Sequence, residues 1–302
     1  MWKQGAAVLA AMAVFTAGSV FAGGAVKEKV LKMTTTTDVE ASGLFDELLP
    51  KFKADSGIVV KLSVKDDAAV LQDCRDGRTD IIFSQDKTGE KRLVLENFGT
   101  MRYPVMHSDY IIVGPKNDPA GIKGIQSVTE ALAKIAEKHS TFASCGDNSG
   151  THIREQMLWK ESSVKLVERK TQFIEKGKLK KVDYVAPEDA EAWYRTVGRG
   201  MAETLSFAEE KQACTLSDRD TYVRFRYGQE PPLDLEVLCE GDALLERSWG
   251  LVPVNSSKFP GVHNALAMEF VQWISSPKGQ ELISNFTLAG IRLFTPDAEP
   301  VK

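Results

Sequence analysis

With 38 basic against 42 acidic side chains in 302 residues, the chain carries a formal net charge of −4. Acidity this mild, spread along the whole length, leaves no basic footprint for a polyphosphate, and nucleic acid drops out as a partner. Residues 1–22 hold one early cation, Lys3, then an apolar run from Ala6 to Phe21 and small residues near Ala22. That is the pattern of a secretory signal peptide cut after Ala22. The run is shorter than the roughly 20 apolar residues of a membrane span and contains Thr16, Gly18 and Ser19. Its removal takes away one charge, Lys3, and leaves 37 basic against 42 acidic residues. About 280 residues remain, a length at which chains tend to divide into two lobes.

Cys74, Cys145, Cys214 and Cys239 all lie in the exported part, where disulfides can form. Their spacings match no zinc pattern. If one pair exists, the expected one is Cys214 with Cys239, both in the same lobe; the plainer reading is four inert buried thiols.

In chain order, residues 29–33 alternate into a short strand that meets Thr34-Thr35-Thr36-Thr37-Asp38, a hydroxyl-rich turn and helix cap. Leu44, Phe45, Leu48, Leu49 and Phe52 share one helical face, Gly57 closes that helix, and residues 58–64 form the next strand. Strand, turn, helix and strand make an α/β unit, whose ligands sit beyond the carboxyl ends of its strands. The Thr run therefore points at a cleft. Lys65-Asp66-Asp67 is a second turn before a short helix, and residues 80–83 form a third buried strand. Residues 102–115 carry a strand that ends in a rigid Gly114-Pro115 turn, and an amphipathic helix is expected over 121–139.

The central feature is Ser144-Cys145-Gly146-Asp147-Asn148-Ser149-Gly150-Thr151-His152. A polar turn feeding a helix start offers unpaired backbone N–H groups and short hydroxyls to one point, and so can hold a small solute. Asp147, Ser149 and His152 do not make an enzyme of it, because that spacing gives neither a nucleophile elbow nor an oriented triad. The lysine-rich stretch 164–185 reads as a solvated surface with some strand character, and 190–194 as helical. Beyond it, helices are expected over 202–211, 218–225, 265–274 and 277–286, and strands over 214–217, 235–238 and 250–254.

Several segments together resemble the tungstate-binding receptors of ABC importers. They are Thr35-Thr36-Thr37 with Ser42-Gly43-Leu44, Val105-Met106 with Asp109, Val113-Gly114-Pro115 with Asp118-Pro119-Ala120-Gly121-Ile122, and Gly146-Asp147-Asn148-Ser149-Gly150-Thr151-His152. Later matches include Trp193-Tyr194, Gly200-Met201, Thr215-Leu216-Ser217-Asp218-Arg219, Glu240-Gly241-Asp242 and Ser276-Pro277-Lys278-Gly279-Gln280. The resemblance runs in order along nearly the whole exported chain. It implies an α/β, type II periplasmic-binding fold: two lobes joined by two crossing strands, here residues 109–115 and 249–254. Lobe I is then 23–112 with 249–302, and lobe II is 113–248. It also implies a monomer in the periplasm that closes on a small solute and presents it to an ABC permease, with no cofactor and no chemical step. The alternative is a secreted sensor or accessory subunit that keeps the fold without delivering to a permease.

The ligand-binding residues expected are Thr35, Thr36, Thr37, Asp38, Asp66, Asp67, Cys145, Ser149, Gly150 and Thr151. Three of these turns depart from the receptors that the chain resembles. Cys145 stands where they have arginine, Asp38 where they have serine, and Asp66-Asp67 where they have a Gly-Thr pair. A carboxylate ~4 Å from a unit negative charge costs roughly 4 kcal/mol at an effective dielectric of about 20. A lost charged donor removes roughly 1.5–3 kcal/mol more. Unless Lys65, Arg199, Arg219 or a protonated carboxylate compensates, tight tungstate binding is expected to be lost. The ligand then stays open between an oxyanion, a cation or amine-bearing solute, and another small polar solute.

Overall fold

The computed structural model describes residues 28–175, 177–299 and 301; the signal-peptide reading of 1–22 lies outside them. The chain opens with β1 (Lys29–Thr36), α1 (Thr37–Ala41), α2 (Leu44–Ser56), β2 (Ile58–Lys65), α3 (Asp67–Arg75), β3 (Ile81–Ser84) and α4 (Lys87–Leu95). β1 pairs in parallel with both β2 and β3. This pairing carries the strand through Thr36, opposite Lys65, so three of the four threonines are strand residues and the helix starts only at Thr37. α4 was not anticipated. Its charged sequence hides it, but Asp86 caps it by accepting from the Gly89 N–H at 2.9 Å.

The long strand β4 (Tyr103–Gly114) follows, then α5 (Val128–Glu137), β5 (Phe142–Ser144), α6 (Gly150–Glu161), β6 (Leu166–Glu175), β7 (Lys178–Pro187) and β8 (Tyr194–Thr196). α5 is shorter than the amphipathic pattern suggested: Gly121 and Gly124 adopt positive φ, and Ser127 caps the helix at Val128. Residues 190–194 give a single 3₁₀ turn and then β8, because the backbone from Tyr194 on pairs with β5. The lysine-rich stretch is an antiparallel hairpin, β6 with β7, separate from the main sheet.

The remainder comprises α7 (Met201–Lys211), β9 (Cys214–Asp218), α8 (Arg219–Tyr227), β10 (Glu236–Cys239), β11 (Glu246–Pro253), α9 (Asn264–Ile274) and α10 (Pro277–Asn285). The short strands β12 (Thr287–Leu288), β13 (Ile291–Arg292) and β14 (Thr295–Pro296) end the chain and were not foreseen.

The main sheet runs β2-β1-β3-β11-β4-β9-β5-β8, a mixed α/β arrangement. β4 and β11 join its two halves. The first part of β4 pairs with β11, Glu246 opposite Asp109, while Tyr110 to Val113 pair with β9. β11 in turn pairs with β3 from Gly250 to Pro253. One core gathers around Phe52, Phe83, Trp249 and Phe270, with Phe52 and Phe270 edge to face at 5.0 Å. Another gathers around Phe142, Trp159 and Trp193, with Phe142 edge to face on Trp159 at 5.4 Å, and a smaller cluster holds Val70, Ile82, Leu93 and Val252.

The crossing strands are braced by a buried ion pair. Arg102 donates to Glu90, which is fully buried and also accepts from Ser84 Oγ at 2.8 Å. The same guanidinium reaches Ser248 Oγ on β11 at 3.2 Å. A Cβ on Gly250 would stand 2.8 Å from it, so a larger residue there would push the guanidinium aside. In the core around Phe142, Glu155 accepts from Tyr194 Oη at 2.5 Å and Trp159 Nε1 at 3.2 Å, and burial pushes its carboxyl up to about 7. The disulfide expectation fails: all four cysteines are free and buried. Burial raises the Cys214 thiol to about 12 and the Cys239 thiol to about 11, keeping both protonated.

Two stability predictions follow from these buried groups. Arg102→Ala leaves Glu90 uncompensated and should lower the unfolding free energy by about 3–5 kcal/mol in a denaturant titration. A loss below about 1 kcal/mol would show that the pair does not brace the strands. The Glu155 carboxyl is easier to protonate folded than unfolded, so its stabilisation is complete below pH ~4.5 and is lost as pH rises through about 7. Glu155→Gln should flatten that fall, worth ~3 kcal/mol at most, in melting curves taken from pH 5 to 8.

Candidate functional site

Two spaces open on either side of Gly150, the first residue of α6. The first, about 390 Å³, is lined by Thr37, Asp38, Ser149, Gly150 and Thr151 together with Gly200, Met201, Asp218, Asp220 and Arg224. The second, about 310 Å³, is lined by Asp67, Gln85, Tyr110, Gly150, Arg154 and Arg247. A Cβ on Gly150 would lie 3.7 Å from Asp67 Oδ2 and 3.8 Å from Gln85 Nε2, which measures how closely the two lobes approach.

The α6 turn is built by local chemistry. Asp147 Oδ1 accepts from the Ser149 N–H at 2.9 Å, and Ser149 caps the helix by accepting from the His152 N–H at 3.4 Å. Gly146 and Asn148 take positive φ, 61° and 64°. The His152 ring closes the turn, its Nδ1 accepting from the Asn148 N–H at 3.1 Å. Burial lowers the His152 pKa, so the ring is neutral with its proton on Nε2, a buried atom without a partner. The helix start thus presents the Gly150 and Thr151 N–H groups as donors.

Opposite, Asp38 opens α1. Its Oδ2 accepts from Arg247 Nη2 at 2.9 Å and from Gln85 Nε2 at 3.0 Å. Arg247 lies on β11 with its side chain only 3% exposed. It also donates through Nη1 to Asp220 at 3.0 Å and through Nε to Gln85 Oε1 at 2.9 Å. Its guanidinium stands 4.9 Å from the Tyr110 ring centre and 5.5 Å from that of Trp249. Burial opposes its charge, but Tyr110, Asp220 and Asp38 outweigh burial and hold it cationic. Burial and the Asp218 carboxylate raise the Asp220 carboxyl above its ordinary value, while the Arg247 guanidinium opposes that rise.

Asp67 heads α3 on the rim of the second space. Burial first, and then the Asp38 charge, raise its carboxyl to about 6, and its Oδ1 is buried without a hydrogen-bond partner. Asp66 is exposed and caps α3 by accepting from the Ala69 N–H at 2.9 Å. Thr35 and Thr36 lie just behind the Asp38 turn, both buried, their hydroxyls also unpartnered.

Cys145 is set back from the cleft. Strand β5 ends by turning it under α7, where it is 2% exposed, 3.9 Å from Met201 Sδ and 3.5 Å from Thr204 Oγ1. The burial that surrounds it raises its pKa far above that of a free thiol. Of the cations named as possible compensators, Lys65 is paired with Asp73, and Arg219 holds Asp109 with two bonds of 2.6 Å and also Glu240. Arg199 is exposed on the α7 approach. The cations that do reach the two spaces, Arg247, Arg154 and Arg224, were missed by sequence reasoning, as were Gln85 and Asp220. The available signal was an arginine heading an otherwise apolar strand. Among the described residues no three His, Cys, Asp or Glu side chains converge as a metal site requires.

Comparison with known proteins agrees with this architecture. A PBP superfamily domain model matches residues 22–278. The tungstate-binding protein TupA of Peptoclostridium acidaminophilum is 35% identical over 270 residues, 88% of this chain and 85% of that protein. TupA of Campylobacter jejuni is 30% identical, covering 86% of this chain and 88% of that protein. The structure of TupA from Desulfovibrio alaskensis G20 superposes with a TM-score of 0.80 at 37% identity, covering 90% of this chain and all of that one. These relatives are binding proteins, not enzymes. The chain belongs to the PBP superfamily, as a tungstate-type solute-binding protein of ABC transporters.

Proposed function

We propose that this protein is exported through residues 1–22, works in the periplasm, and captures a small polar solute between its lobes for delivery to an ABC permease. The Thr37–Asp38 turn and the Ser149–Thr151 helix start contribute opposite walls, and hinge motion along β4 and β11 closes them. The solute class follows from how the donors and acceptors are used. A tungstate-type dianion needs free positive charge, yet the Arg247 fork is spent on Asp38, Asp220 and Gln85. The groups left to a ligand are the N–H donors of Gly150 and Thr151, neighbouring hydroxyls, acceptors such as Asp67 Oδ1, and the guanidinium groups of Arg154 and Arg224, which line the two spaces and donate to backbone carbonyls. That set suits a compact polar solute carrying both hydrogen-bond donors and acceptors. The occupied Arg247 fork is the observation that carries this reading, and tungstate itself is held weakly.

Calorimetric titration with tungstate at micromolar protein should give little heat at pH 7.5, and nanomolar binding would overturn the assignment. Asp38→Ser releases Arg247 Nη2 and removes a carboxylate, so tungstate affinity should rise about tenfold or more. No gain would mean that Arg247 does not reach the bound solute. Because burial raises Asp67 to about 6 and raises Asp220 as well, carboxylate charge is lost as pH falls. Tungstate affinity should accordingly increase from pH 7.5 to 5.5. Native mass spectrometry of protein taken from its own periplasm should show a retained organic solute in place of a metal oxyanion.

A further inference from the structure

The second of the two spaces is walled by more than hydrogen-bonding groups. While α6 buries His152, Glu155, Leu158 and Trp159, it turns Ile153 and Met157, one helical turn apart, into this space, where they are 57% and 37% exposed. Arg154 stands beside them. Its guanidinium is held by the Leu244 and Glu246 carbonyls at 3.0 and 3.2 Å, lies 5.5 Å from the Tyr110 ring centre, and has no carboxylate partner among the described residues. Asp67 at the head of α3 and Asp86 at the cap of α4 reach the same space from the half of the fold built on β1 to β3. Asp86 is engaged with the Gly89 N–H, whereas Asp67 Oδ1 has no partner, and the Asp67 carboxyl, raised to about 6, is chiefly ionised at pH 7.5. Tyr110, only 4% exposed, adds a hydroxyl that makes no hydrogen bond among the described residues and lies 3.9 Å from where a Cβ on Gly150 would stand.

This combination divides the candidate solutes. A metal oxyanion presents oxygen on every side, gains nothing from two aliphatic side chains, and is repelled by an ionised carboxylate on the wall. A bare cation is equally ill matched, because Arg154 and Arg247 line the same space of about 310 Å³. One positive group for Asp67, one negative group for Arg154 and an aliphatic portion for Ile153 and Met157 together describe a single small molecule. We propose that the second space takes an α-amino acid with an aliphatic side chain: its ammonium meets Asp67, its carboxylate meets Arg154, and its side chain lies against Ile153 and Met157. The Tyr110 hydroxyl is free to bond either charged group. This step rests on the proposed function and names the solute class for it. Because Asp67 belongs to α3 and Arg154 to α6, the two charges of the ligand tie together elements that hinge motion brings near, and a solute lacking either charge loses that tie.

The test is calorimetric titration of the full exported chain with L-leucine at pH 7.5, after retained solute has been removed by dialysis from denaturant. L-Leucine should bind. Its analogues 4-methylpentanoate, which lacks the ammonium, and 3-methylbutylamine, which lacks the carboxylate, should each bind about tenfold or more weakly. Asp67→Asn should weaken L-leucine about tenfold while changing 4-methylpentanoate far less, and Arg154→Gln should do the same to L-leucine while changing 3-methylbutylamine far less. Ile153→Ser/Met157→Ser should weaken L-leucine severalfold with its circular dichroism melt unchanged. No heat with L-leucine, glycine bound as tightly as L-leucine, or L-leucine affinity unaltered by both charge variants would overturn the proposal. A retained solute without an amino group, seen by native mass spectrometry of protein from its own periplasm, would overturn it and leave the transport reading standing, whereas nanomolar tungstate binding would remove both.

Discussion

The cleft depends on one buried cation. Arg247 sits where β11 leaves one half of the sheet for the other, and it touches both sides: Asp38 on α1, Gln85 after β3 and Asp220 on α8. Removing a guanidinium from water costs several kcal/mol, and that cost is met only by near-complete hydrogen bonding and by aromatic faces such as those of Tyr110 and Trp249. The same bonds that make its burial tolerable leave little of its charge for anything else. In the function proposed above, structural necessity and ligand selectivity are a single constraint.

This changes the meaning of the aspartates. Seen alone, Asp38 and Asp67 read as negative charge added to an anion site. In the structure Asp38 is one half of an ion pair, and Asp67 is raised toward neutrality by burial and by Asp38. In the function proposed above, selectivity rests on which donors and acceptors remain unmatched. Asp66 shows the opposite outcome, since the chemistry of its turn is fully accounted for by capping α3.

What could be read from the chain was what local chemistry decides. Ser149 before a helix, Gly57 after an apolar-faced one, and short apolar runs beside hydroxyl turns fix elements within a few residues, and the order of the motifs points to the fold. The Thr run shows where such reading stops, because strand pairing with residues about thirty positions away kept Thr34 to Thr36 extended. Arg247 was illegible for a stronger version of the same reason. Its partner Asp38 is 209 residues away and Gln85 is 162, so its role exists only once β11 has threaded between the two halves of the sheet. Cys145 misled because its position in the turn suggested the cleft, whereas the end of β5 rotates it beneath α7.

The four buried cysteines bear on how such a chain reaches its folded state. A secreted polypeptide emerges into surroundings that oxidise accessible thiols, and only the thiolate form reacts readily. Once packed, each sulfur here is out of contact with solvent and held protonated. The hazard is confined to the interval before packing, when any two of the four could be joined wrongly. For an exported chain, packing of the cores is thus also what removes these thiols from oxidation.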